Sequence, residues 1–159
     1  MTTFEKSIQI EALPEEVWTC LTHPNWIQKW WTALREYDYT SEKQSGLGMT
    51  FVVEEKIGMG PPLKIRFEVT KWKKPEHIAF KMTSGTGAKS YDVSWTLEPA
   101  EGGTSFNYME RLTLSNGFMD KVWTMIGRRS GMGHIEGYLR SLKELAESRA
   151  AEAAEREAV

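Results

Sequence analysis

The sequence predicts a single α+β domain: a curved antiparallel sheet of about seven strands around one long C-terminal helix, with two short helices after the first strand. Three observations predict it. From about Leu34 to Leu114 apolar residues alternate with polar ones, the period of half-buried strands. Short runs of Gly, Pro, Ser and Asn separate these segments, too short for the crossovers that parallel strands need. After Ser115-Asn116-Gly117 the apolar spacing changes to three and four residues and stays so.

The elements follow in order. Phe4, Ile8, Ile10 and Ala12 share one parity, as in a strand with one buried face. Pro14 suits a first helical turn, Glu15 and Glu16 suit its positive end, and Val17, Trp18 and Leu21 fall at helical spacing. His23-Pro24-Asn25 ends that helix, and a second carries Trp26, Ile27, Trp30 and Trp31. Adjacent tryptophans on one helix cannot be buried equally, so one of Trp30 and Trp31 is expected inside and the other outside or against a partner. Strands then centre on Met49–Val53, Leu63–Val69, Ile78–Met82, Tyr91–Leu97 and Phe106–Leu114, after one beginning near Leu34. The long helix carries Phe118, Val122, Met125, Arg129, Met132, Ile135, Leu139, Leu142 and Ala146 on one stripe. Beyond it the sequence has good helix formers and few apolar anchors. The division expected is a domain over 1–147 and a solvated, fraying helical tail over 148–159.

A chain of 159 residues with 40% apolar content can bury one real core. Twenty basic against 22 acidic residues give a net charge of −2, which argues against nucleic acid as a partner. Lys71, Lys73 and Lys74 read as a solvated strand end. Cys20 is the single cysteine, so no internal disulfide forms, and a buried, inert thiol in a reducing compartment is expected. No signal-peptide pattern and no membrane-length apolar run is evident, which makes a cytoplasmic location the expectation. His23, His77 and His134 have no metal-ligand spacing, and neither a phosphate-binding loop nor a dinucleotide fingerprint is complete, so no cofactor is expected.

This order of elements resembles the START-like, or SRPBCC, superfamily. Its members include birch-pollen-allergen-like proteins, polyketide cyclases, plant hormone receptors and co-chaperone activators. The resemblance covers about Thr3 to Glu147. It rests on "IQIEALPEEVWTCLTHPNWIQKWW", "VTKWKKPEHIAF", "VSWTLEPAEGGTSFNY" and the helix ending "YLRSLKELAE". It implies a helix-grip fold enclosing a cavity between sheet and helix. It also sets the Gly58–Pro62 and Ser84–Ala88 turns over the cavity mouth, although plain hairpin turns need the same residues.

Parity singles out two carboxylates. Glu110 shares its face with Phe106, Tyr108 and Leu112, and Glu55 shares its face with Met49, Phe51 and Val53. An inward carboxylate needs a hydrogen bond, a cation or a proton. Arg129, on the helix stripe, is the natural partner. The expected lining is Trp30, Phe51, Glu55, Phe67, Phe80, Tyr108, Glu110, Met125 and Arg129. Gly127, Gly131, Gly133 and Gly137 weaken the helix unless something offsets them; the missing side chains make room either for a ligand or for a close-packed indole, and close packing is the expectation. The function expected is binding of a small apolar or aromatic molecule, lipid-like or polyketide-like, as carrier or sensor. A cyclase- or hydratase-type enzyme using Glu110 or Glu55, and a co-chaperone-like module with a protein partner or homodimer, are the alternatives.

Overall fold

The structure is a computed structural model describing residues 1–56, 61–85, 88–114 and 117–158, with the backbone alone over 117–132. The elements run β1 (Thr2–Ile10), α1 (Pro14–Thr22), α2 (Pro24–Trp30), β2 (Leu34–Tyr39), β3 (Thr50–Glu55), β4 (Leu63–Lys73), β5 (His77–Ser84), β6 (Ala88–Ala100), β7 (Gly103–Leu114) and α3 (Gly117–Glu157). The strands form one seven-stranded sheet in the order β1-β7-β6-β5-β4-β3-β2, and every neighbouring pair is antiparallel. β1 therefore returns beside the last strand, and α3 packs on it and on α1 and α2. This is the α+β helix-grip arrangement that the element order predicts.

Local chemistry accounts for the two short helices. Pro14 and Pro24 each occupy a first turn, where the missing N–H would lack a helical partner anyway. The His23 ring accepts the Asn25 N–H at 3.2 Å and so caps α2. The sheet bends with the help of register shifts in β2 between Leu34 and Glu36 and in β4 between Val69 and Lys71. Gly85 allows a close approach: its φ is +123°, and a Cβ there would meet the Lys64 carbonyl oxygen at 2.1 Å.

The concave face carries the core. Ile65, Phe67 and Val69 of β4, Ile78 and Phe80 of β5, Val93, Trp95 and Leu97 of β6, and Phe106 and Tyr108 of β7 are all buried. Ile135, Tyr138, Leu139, Leu142 and Ala146 of α3 close over them.

Two expectations need correction. Trp30 and Trp31 are both buried, at 0% and 1% exposure. α2 ends at Trp30, and Trp31 takes a non-helical conformation (φ −83°, ψ 76°), so the helical argument for opposite faces does not apply to it. The two indoles stack with centroids 6.0 Å apart. Next, no indole among the described residues packs against Gly133 or Gly137: a Cβ at either would meet no described atom within 4 Å. Gly127 and Gly131 lie where only the backbone is described. α3 itself runs to Glu157. Arg149 donates to Glu16 at 2.6 Å and stacks 4.2 Å over the Trp26 ring, and Ala150 packs against the core. Residues 151–158 are exposed.

Candidate functional site

Glu55 ends β3 and Glu110 lies on β7, with β4, β5 and β6 between those strands. On a flat sheet that separation would be about 19 Å. The sheet curls, and the Glu110 charge reaches Glu55. The concave face thus brings together two carboxyls that parity alone only aims inward.

Glu55 is 5% exposed. Burial first, and then the Glu110 charge, push its carboxyl up to about 7. Glu110 is half-buried as a residue, with its carboxyl enclosed by protein. Burial raises its pKa too, opposed by hydrogen bonds from Tyr108 and Tyr91 and by the nearby His134. Both hydroxyls donate to the same oxygen, Oε1, at 2.6 Å from Tyr108 and 2.7 Å from Tyr91. Their register explains it: Tyr108 lies two residues before Glu110 on the same face, and Tyr91 sits diagonally opposite on β6, where Val93 pairs with Glu110. These two phenols are held well above their ordinary pKa by burial and by the Glu110 charge.

Tyr138 and His134 approach from α3, with ring centroids 5.1 Å apart. Burial, Glu55 and Glu110 all raise the Tyr138 pKa. Trp31 completes the group. Its indole N–H lies near enough to Glu55 and Tyr138 to favour their ionised forms, yet it meets no acceptor at hydrogen-bonding geometry among the described residues.

The remaining predicted lining residues divide. Phe51, Phe67 and Phe80 form a chain of ring contacts 5.0 to 5.4 Å between centroids, continued by Trp95 5.0 Å from Phe80. This end of the core is filled; the void beside Phe51, Phe80 and Trp95 is about 10 Å³, room for about one water. Trp30 belongs to the same packing, and its N–H donates to the Cys20 carbonyl at 2.7 Å. The side chains of Met125 and Arg129, and with them the expected Glu110–Arg129 pairing, lie outside the described residues. So do the tips of the two turns expected over the cavity mouth, at 57–60 and 86–87. Cys20 is fully buried, and burial pushes its thiol up to about 11, the inert state expected.

Sequence reading missed Tyr91, Tyr138 and Trp31 as site residues. Tyr91 carried the signal, since it shares the inward parity of Val93, Trp95 and Leu97. Tyr138 lies three residues from Ile135, on the same helix face. Trp31 carried none.

A family model described as polyketide cyclase/dehydrase and lipid transport matches residues 1–147. The chain belongs to this family. Within the wider superfamily, the uncharacterized protein Rv1546 of Mycobacterium tuberculosis is 27% identical over 148 residues, covering 92% of this chain and 98% of its own. The crystal structure of TTHA0849 from Thermus thermophilus superposes with a TM-score of 0.78 at 15% identity, over 94% of this chain and 99% of that one. The di-domain ARO/CYC StfQ from the steffimycin biosynthetic pathway gives 0.76 at 16% identity, over 94% of this chain and 51% of that one. At these identities the solved structures establish the fold alone. Membership in the polyketide cyclase/dehydrase and lipid transport family supports a ligand-binding domain. Among the described residues, no helix is long and apolar enough to cross a membrane, and no cluster of His, Cys, Asp and Glu could hold a metal.

Proposed function

We propose that the protein binds a small, mostly apolar or aromatic molecule between the sheet and α3, as a carrier or sensor, with the polar part of the ligand against Glu55 and Glu110. The observation that carries this reading is the polar cluster itself. Two carboxyls on the concave face share their surroundings with three tyrosines, and no Lys or Arg among the described residues pairs with either. A structural core gains little from such a group, because burying a carboxyl costs several kcal/mol, a proton or a paired cation. A few polar groups at the end of an apolar wall is the usual plan of a small-ligand site. In this reading Tyr108, and Phe67 at the edge of the packed rings, line the wall next to the carboxyls. Met125 and Arg129, which share a helix stripe with Ile135, Leu139 and Leu142 by sequence spacing, complete the proposed set.

Native mass spectrometry of freshly purified protein tests this reading, followed by solvent extraction of whatever is bound. A single apolar adduct per chain is the expected result. A bare chain that also refuses added apolar ligands would overturn the reading.

One observation favours a second reading, proton transfer on a bound carbonyl compound. Glu55, held at about 7, is matched to accepting and returning a proton near neutral pH. In that case Glu55→Gln abolishes turnover of the extracted ligand while binding persists. Retention of turnover would exclude the role.

A further inference from the structure

The Trp31 indole N–H is the least explained polar atom in the site. The residue is 1% exposed, and Nε1 lies close enough to Glu55 and Tyr138 to favour their ionised forms, yet it meets no acceptor among the described residues at full hydrogen-bonding geometry. A buried donor held at imperfect geometry recovers only part of its lost hydration, and an acceptor delivered by a ligand would complete it. Its surroundings say what kind. Glu55 and Tyr138 lie beside it, and Trp95 Nε1, a second buried donor without a partner among the described residues, belongs to an indole 5.9 Å away. The Tyr138 hydroxyl is a donor, and the Glu55 carboxyl is one whenever it carries its proton.

We infer that Trp31 Nε1, the Tyr138 hydroxyl and the Glu55 carboxyl form a seat for an oxygen atom of an uncharged ligand, such as a ketone, ester or ether oxygen, and that the same seat turns away carboxylate-bearing amphiphiles. The inference rests on the ligand-binding reading above and deepens it. The selection against anions follows from burial: a ligand carboxylate would leave water for an enclosed site beside two buried carboxyls, with no Lys or Arg among the described residues paired with either. The selection for an acceptor follows from Trp31, because an indole N–H donates and never accepts. A hydrocarbon end leaves that donor unpaired. Trp31 is thus a specificity-determining residue for the ligand's polar end, while the aromatic wall treats all ligands of one shape alike.

Three probes of one shape separate these terms: 2-acetylnaphthalene, 2-ethylnaphthalene and 2-naphthoate. Their dissociation constants would be measured by calorimetry on the full chain at about pH 6, where the naphthoate is charged and Glu55 largely is not. The ketone is expected to bind about five- to tenfold more tightly than the hydrocarbon, the increment of one hydrogen bond. The naphthoate is expected at least about tenfold weaker than the hydrocarbon. In Trp31→Phe the ratio of ketone to hydrocarbon affinity should fall severalfold, with any remainder carried by the Tyr138 and Glu55 donors. If that variant does not fold, the ranking on the native chain decides alone. Should the hydrocarbon bind and the ketone show no advantage, or the naphthoate bind best, the inference is wrong and the ligand-binding reading stands. Should none of the three bind, both fall.

Discussion

Glu55 and Glu110 sit on opposite arms of the sheet, and the charge of Glu110 still raises the pKa of Glu55. That coupling across the concave face makes the site a property of the whole curled sheet rather than of one strand. It also makes the site sensitive to pH.

Stability should fall as pH rises from about 4.5 toward about 7. The Glu55 carboxyl titrates near 4.5 when unfolded and near 7 when folded, so the native state holds the extra proton across that window. Its contribution is fully present below the lower value and is lost as pH passes the upper one. The shift corresponds to on the order of 3 kcal/mol. Urea unfolding at several pH values checks this, and Glu55→Gln should flatten the profile.

Tyr91→Phe should remove one of two donors to Glu110 Oε1 and raise the Glu110 pKa further. Above that titration the loss is expected to be about 1–3 kcal/mol, the worth of a hydrogen bond to a charged group, and smaller below it. Carboxyl NMR titration of native protein and variant compares the two. An unchanged Glu110 pKa would show that the hydroxyl does not reach it.

Much of the site was legible in the sequence. Period-two alternation aimed Glu55 and Glu110 inward, because a strand leaves each side chain only two directions. The partners of Glu110 were not legible. That Tyr91 reaches it depends on the β6–β7 register, which turns and long-range pairing fix. Trp31 was misread for a different reason: one residue decides whether a helix continues, and helix ends are the least certain feature of any periodic pattern. The anchoring of the tail by Arg149 was invisible because it depends on the loop geometry that brings Glu16 and Trp26 to α3.

Removing residues 151–159 should leave the melting temperature nearly unchanged, since 151–158 are exposed. Arg149→Ala should cost more, about 1 kcal/mol, through its partly exposed ion pair with Glu16 and its stacking on Trp26. Thermal denaturation of the two variants should therefore rank them in that order.

Cys20 should resist thiol reagents in the native state at neutral pH. It is fully buried, and its pKa of about 11 leaves almost no thiolate. Labelling that appears only on denaturation is the expected result, followed by mass spectrometry.

Titration of an environment-sensitive apolar dye into the native chain and into Met125→Trp tests ligand binding between sheet and helix. One dye per chain is expected on the native protein. Binding should be lost in Met125→Trp with the melting temperature held, because the larger side chain fills space that a ligand would occupy. No dye binding to the native chain, together with a Met125→Trp variant destabilised by the about 1–3 kcal/mol of an overpacked core, would contradict it.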